Sequence, residues 1–290
     1  GMHAARASYI GGAIGTSNVL AGKEFGMPIF GTMAHAYIMS FDSELEAFRA
    51  YSKTFENSSV FLIDTYDTLQ GVKNAITVAK EMESEGKKLK GVRLDSGDLC
   101  ELSKKVRKAL DDSGLNYVKI LASNDLNEYK IAEMESNGAC IDMYGVGTEM
   151  GTSKDAPALS GVYKLTEDAD KHGNLVAKMK LSENKSTLPG KKQVYRVFDD
   201  KGKSLKDIIA TADEKVNGEP LLEKYMDDGR IIKDMPNIDE IRARKTSQLE
   251  SLDSEYKIIN SQKTYKVEVS DKLLDLQKEV SERIRKNGGK

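Results

Sequence analysis

The sequence predicts an α/β protein: a TIM-like, incomplete parallel α/β barrel, followed by a smaller β-rich second domain and C-terminal helices. Three observations carry that expectation. Short apolar runs alternate with amphipathic helical stretches from Ala4 to about Leu165, the rhythm of parallel βα units. Charged or small residues follow these runs at once, so chemistry-bearing loops come after many strands. That favours a barrel over an open sheet with one switch point. Beyond Leu165 the runs shorten into hairpin-like pairs separated by turn residues.

The chain opens in helical sequence, ARASYIGGAIG, with no leading strand. Pro28–Phe30 is the first expected strand. A helix follows over Ser43–Phe55, with Leu45, Phe48, Tyr51 and Phe55 on one face. Val60–Ile63 is the next strand. Leu69, Val72, Ile76 and Ala79 mark a helix over Leu69–Met82. Val92–Leu94 leads to a helix over Leu99–Leu110, and Gly86 and Gly114 follow these two helices as stop signals. Val118–Ala122 and Cys140–Tyr144 are the last strands of a barrel domain over residues 1–165. Residues 166–237 form the antiparallel small domain, with turns at Lys171–Asn174, Leu188–Gly190 and Asp199–Gly202. Residues 238–290 are mostly helical, with a strand within Tyr265–Ser270 and a final helix over Asp271–Arg285.

A chain of 290 residues, 39% hydrophobic and 31% charged, is long enough for one large core or two smaller ones. A formal net charge of −2, with lysines dispersed among acids, gives no footprint for nucleic acid or a membrane surface. No apolar run reaches the ~18 residues of a membrane span, and the start has no signal-peptide shape. Cys100 and Cys140 belong to no CxxC pair and read as reduced packing thiols in a cytoplasm. With three histidines, no zinc-ligand spacing is present. Gly1-Met2 reads as a scar ahead of a natural initiator, or as a start partway through a longer protein.

GVRLDSGDL at Gly91–Leu99 is the richest segment: a strand ends by delivering Arg93, Asp95 and Asp98 around a Ser-Gly turn. Asp98 also suits a helix N-cap. Asp64 and Asp67, flanking Thr65-Tyr66, suit either a helix N-terminus or the hydroxyls and Mg²⁺ of a phosphosugar. Gly145, Gly147 and Thr148 offer backbone N–H groups and a hydroxyl for a phosphate. In SNDLNE the spacing makes Asp125 a cap, through a capping box with Glu128, and Asn124 a ligand candidate. His35 sits after PIF, where the other candidates gather, whereas His3 and His172 are ordinary.

GTSNVLAGKEFGMPIFGTMAHAYIMSFDSELEAFRAY, LIDTYDT, GVRLDSGDL, ASNDLNE, MYGVGTEM and KLSENKSTLPGKKQVYR together resemble nicotinate phosphoribosyltransferase, a type II phosphoribosyltransferase. The resemblance implies formation of nicotinate mononucleotide and pyrophosphate from nicotinate and phosphoribosyl pyrophosphate, in NAD salvage, with Mg²⁺. It also implies ATP as co-substrate, hydrolysed through phosphorylation of His35. Arg93 would orient the pyridine and its carboxylate, and Asp95 and Asp64 would contact ribose or Mg²⁺. Asn124, Gly147 and Thr148 would hold the 5′-phosphate. Ser17 stands where related nicotinamide enzymes carry an aspartate, and a hydroxyl can donate to a carboxylate. The family has an N-terminal segment ahead of the point where this chain starts, so a barrel short of a strand and a homodimer or larger homo-oligomer are expected. The alternatives are a nicotinamide or quinolinate phosphoribosyltransferase and a truncated, inactive phosphosugar-binding remnant.

Overall fold

A computed structural model describes residues 1–182 and 186–286. The chain divides into two compact units, Gly1–Ala158 and Leu159–Lys290.

The first unit begins with α1 (Met2–Gly11), α2 (Val19–Phe25), α3 (His35–Met39) and α4 (Glu44–Phe55). Strands and helices then alternate: β1 (Val60–Leu62), α5 (Thr68–Ser84), β2 (Gly91–Leu94), α6 (Leu99–Asp112), β3 (Lys119–Ser123), α7 (Glu128–Ser136), β4 (Met143–Gly145) and α8 (Thr148–Thr152). The strands form one parallel sheet in the order β1-β2-β3-β4. Sequential parallel strands joined by helices are the arrangement of an α/β barrel, here present as four strands among the described residues.

Near-continuous apolar strands are what a parallel sheet covered on both faces requires. Phe61, Leu62, Val92, Leu94, Ile120 and Ala122 are fully buried, and α4, α5 and α6 pack Phe48, Val72, Ala75, Val106 and Leu110 against them. The rings of Phe48 and Phe61 stack with centroids 4.6 Å apart. Each such buried side chain contributes roughly 1.5–3 kcal/mol. Helix α5 comes so close to the end of β1 that a Cβ on Gly71 would lie 2.0 Å from the Ile63 carbonyl oxygen.

Helices α5 and α6 end as expected, with Gly86 and Gly114 in the left-handed region. Three local expectations need correction. Pro28–Phe30 is no strand of the sheet: Ile29 makes a single bridge to Thr16, closed by Phe30 N–H on the Thr16 carbonyl and Thr16 N–H on the Pro28 carbonyl. Pro28 has no N–H with which to extend the ladder. The strand expected from Cys140 begins only at Met143, because the Asp142 carboxylate takes the Ile120 N–H at 2.9 Å and occupies the donor a longer β4 would use. Cys140 therefore lies in the preceding loop, and both cysteines are free thiols. Finally, α7 is capped by Asn127, whose Oδ1 accepts the Lys130 N–H at 2.9 Å, and not by Asp125. Asn124 and Asp125 both have positive φ, 100° and 40°, which delays the helix by two residues.

In the second unit, β5 (Glu167–Ala169) and β6 (Leu175–Ala177) pair as a hairpin. A four-stranded sheet in the order β12-β8-β7-β9 contains β7 (Lys192–Phe198), β8 (Ser204–Thr211), β9 (Glu219–Pro220) and β12 (Val267–Val269). Cross-strand neighbours Arg196 and Asp207 form a two-pronged ion pair at 2.9 Å, and the Tyr265 hydroxyl donates to the same carboxylate. A short ribbon of β10 (Met226–Asp227) and β11 (Arg230–Ile231) precedes α9 (Ile238–Ser251), which starts on a complete Asn237/Glu240 capping box. The last helix, α10 (Asp271–Lys286), buries Leu273 and Val280. Residues 183–185 of the KLSENKSTLPGKKQVYR motif lie outside the described residues.

Among the described residues no helix is long and apolar enough to cross a membrane.

Candidate active site

The parallel register brings the C-terminal ends of β1, β2 and β3 side by side, and their next residues meet. Arg93, in β2, is gripped on three sides. Its Nε donates to Ser123 Oγ at 2.8 Å, Nη1 to Thr32 Oγ1 at 2.9 Å and Nη2 to Asp95 Oδ1 at 3.0 Å. Guanidinium has five N–H donors; three are used, so each terminal nitrogen keeps one N–H without a partner among the described residues. The Arg93 and Asp95 side chains are 24% and 25% exposed, so that edge borders solvent without being immersed in it.

Asp95 is the hub. Its Oδ1 also accepts the Ser123 hydroxyl, and its Oδ2 lies 3.5 Å from His35 Nε2. Burial works to raise the Asp95 pKa. The Ser123 hydroxyl, the Arg93 guanidinium and the nearby His35 outweigh it and hold the carboxyl below the usual aspartate value. His35 Nδ1 is 3.1 Å from Thr65 Oγ1, so both ring nitrogens have neighbours that fix the ring.

Asp64, just past β1, faces the same cluster. Its Oδ2 accepts the Asp95 N–H at 2.9 Å and the Ser96 hydroxyl at 2.5 Å, while its Oδ1 is buried with no hydrogen-bond partner among the described residues. A buried carboxylate oxygen left without a donor is costly unless a ligand or ion completes it. It suits a ribose hydroxyl, or Mg²⁺ held by one or two carboxylates together with substrate phosphates. Among the described residues no group of three His, Cys, Asp or Glu residues is placed to hold a metal ion.

The remaining expected residues are placed as follows. Asp67 and Asp98 cap α5 and α6, accepting the Gln70 N–H at 2.7 Å and the Glu101 N–H at 3.1 Å. Gly145 pairs with Ser123 in the β3/β4 register, Gly147 precedes α8, and Thr148 opens it. Asn124 follows Ser123 directly and is exposed. Ser17 is exposed in the α1–α2 loop, beside the α2 cap Asn18; among the described residues no hydrogen bond ties it to the Arg93 cluster.

Sequence reasoning missed Ser123, Thr32, Thr65 and Glu44. Ser123 and Thr65 carry only one signal, their place next to a candidate at a strand end, and Thr32, in the loop ahead of His35, carries none. Glu44 carries none, since an acid in a first helical turn reads as an ordinary partner of the helix dipole. It is nonetheless buried: Oε2 accepts the Asn74 amide at 2.8 Å and Oε1 has no partner among the described residues. Burial raises its pKa, the Asn74 hydrogen bond opposes this, and the Asp64 and Asp67 charges add to the rise.

A rim that joins a carboxylate-ready arginine to an orphaned carboxylate oxygen and a fixed imidazole is suited to an anionic ring and a phosphosugar. Comparison with known proteins points the same way. Residues 6–168 match the family model described as the nicotinate phosphoribosyltransferase (NAPRTase) family, and residues 215–277 match that for the nicotinate phosphoribosyltransferase C-terminal domain. The chain is 40% identical to a nicotinate phosphoribosyltransferase of Bacillus subtilis, over 93% of this chain and 60% of that protein. It is 41% identical to one of Mycobacterium tuberculosis, over 93% of this chain and 57% of that protein. The chain thus spans about three fifths of the length of these relatives. Its structure is similar to that of human nicotinic acid phosphoribosyltransferase, with a TM-score of 0.78 and 26% identity over 95% of this chain and 66% of the other.

Proposed function

The chain belongs to the nicotinate phosphoribosyltransferase family, and from that premise we propose that it makes nicotinate mononucleotide and pyrophosphate from nicotinate and phosphoribosyl pyrophosphate, a step of NAD salvage. The observation that carries this reading is the free edge of Arg93, one N–H on each terminal nitrogen, which matches the two oxygens of a carboxylate.

Nicotinate would sit with its carboxylate on that edge, and the resemblance would add the Ser17 hydroxyl as a further donor to it. Asp64 Oδ1 would take a ribose hydroxyl or Mg²⁺, which supplies charge neutralisation for the departing pyrophosphate. Asn124, Gly145, Gly147 and Thr148, at the ends of β3 and β4, would hold the 5′-phosphate. As pyrophosphate leaves, the anomeric carbon becomes oxocarbenium-like. The chain's task is then to position two reactants and stabilise charge through Asp95 and Asp64. ATP hydrolysis through a phosphorylated His35 belongs to this proposal, supported by the fixed ring between Thr65 and Asp95. So does association into a homodimer or larger assembly, supported by the exposed apolar side chains of Ile14, Val19, Leu20, Ile29 and Phe30. Free thiols at Cys100 and Cys140 fit a cytoplasmic location.

The test is product formation by the purified chain with phosphoribosyl pyrophosphate, Mg²⁺ and ATP, offered nicotinate, nicotinamide or quinolinate in turn. Mononucleotide from nicotinate alone is expected. Turnover of either other base in preference would transfer the reading to that base. Binding of phosphoribosyl pyrophosphate with no product from any base would make the chain a phosphosugar-binding protein.

A further inference from the structure

Among the described residues, Ser123 is the one hydroxyl that touches both members of the Arg93–Asp95 pair. It ends β3, one residue beyond the Leu94–Ala122 pairing of the parallel ladder, and is 7% exposed. That register sets it beside Asp95 on the neighbouring strand. A serine hydroxyl has one proton to give and two lone pairs to accept with. Here the proton goes to Asp95 Oδ1, and a lone pair takes the Arg93 Nε–H at 2.8 Å. The Leu94 carbonyl, 3.3 Å away, is the weaker claimant for the same proton.

Arginine needs this third point of support. The bond to Asp95 and the bond to Thr32 both fall on terminal nitrogens, one each. Only the Nε contact holds the inner edge of the guanidinium and sets which way the outer edge faces. We propose that Ser123 is a positioning residue: by holding Arg93 Nε and Asp95 Oδ1 together, it aims the two remaining Arg93 N–H groups outward as a fork for a substrate carboxylate. This rests on the reading of the site as one for nicotinate and adds the residue that makes its selection of acid over amide geometric. Thr32 and Asp95 constrain Arg93 with or without Ser123, so loss of the hydroxyl loosens the fork without removing it.

Two measurements on Ser123→Ala test this, one of them independent of any ligand. In the ligand-free chain, the Arg93 Nε–H is followed by ¹⁵N–¹H NMR; its exchange with water is expected to quicken by about tenfold once its acceptor is gone. Unchanged exchange overturns the proposal. In binding measurements, nicotinate affinity is expected to fall about tenfold and nicotinamide affinity by less than about twofold, because only the acid uses both prongs. Equal losses for the two bases mean a merely structural serine and overturn it. Ser123→Thr keeps the hydroxyl; Gly145, whose Cβ would lie 3.4 Å from the Ser123 Cβ, leaves room beside it. That variant is expected to keep both slow exchange and the preference for nicotinate, and losses matching those of alanine overturn the proposal. If the unaltered chain binds neither base, the proposed function fails, while the Arg93 exchange signal still decides whether Ser123 holds the guanidinium.

Discussion

The Nε2 of His35 lies 3.5 Å from Oδ2 of Asp95, the same carboxylate whose other oxygen holds Arg93 and Ser123. One aspartate therefore ties the imidazole to the guanidinium. The Arg93 contact is local, two residues along the chain, whereas His35 opens α3 and is separated from β2 and Asp95 by α4, β1 and α5.

Asp95→Asn keeps the size of the side chain and removes its charge. The Arg93 and Ser123 contacts then become neutral hydrogen bonds, and His35 loses its anionic neighbour. Turnover of nicotinate should fall at least about 100-fold, the scale of losing one preorganised electrostatic group. Steady-state kinetics with a parallel melting curve check this. Activity within tenfold of the starting protein would remove Asp95 from the chemistry.

Ser17→Asp places a negative charge where the resemblance puts a hydroxyl beside the nicotinate carboxylate. Two like charges near a protein surface repel by roughly 1–4 kcal/mol at close range. The preference for nicotinate over nicotinamide should shrink by about tenfold, read from kcat/KM for each base. An unchanged ratio would place Ser17 away from the pyridine, in keeping with a merely exposed loop residue.

Asp142→Asn tests a structural carboxylate by pH. Burial works against the Asp142 charge, but the Lys119 ammonium at 2.8 Å and the Ile120 N–H at 2.9 Å hold its pKa below the ordinary aspartate value. A depressed folded pKa means that the unfolded chain binds the proton first. The stabilisation is complete above the unfolded value of about 3.9 and is lost as pH falls through the folded one. Asp142→Asn should therefore cost about 1 kcal/mol near pH 7, allowing for solvent screening of the Lys119 partner, and less near pH 2. Urea unfolding at both pH values checks the sign. An equal loss at both would leave the charge with no part in it.

Gly71→Ala puts a methyl group onto backbone, since the new Cβ would lie 2.0 Å from the Ile63 carbonyl oxygen. Neither α5 nor β1 can yield without parting the core between them. A loss of about 3 kcal/mol is expected, seen as a lower melting temperature and less soluble protein. A melting temperature within 2 °C or so of the starting protein would mean that α5 shifts freely on the sheet.

Much of this architecture was legible from apolar spacing. The helices over α4, α5 and α6 and the strands at β1, β2 and β3 declared themselves, because a buried parallel strand is almost wholly apolar and a helix against it must carry one apolar face. Where side chains compete with backbone for hydrogen bonds, apolar spacing does not show the outcome. Asp142 took a ladder donor and shortened β4, and Pro28 withheld one from the expected first strand. In the site, Arg93, Asp95, Asp64 and His35 stood out by charge and by place after an apolar run. Ser123 and Thr32 did not. They meet Arg93 from 30 and 61 residues away, and a serine or threonine at a strand end looks the same in sequence whether it faces water or a guanidinium.

The tight seat of Gly71 bears on how a growth-based screen of every substitution would read. Position 71 would score as intolerant as Arg93, although it carries no side chain to offer a substrate. Only a second channel that counts folded protein per cell separates them: abundance collapses for substitutions at 71 and holds for substitutions at 93. Without that channel, the helix seat beside Asp64 would be mistaken for part of the catalytic rim.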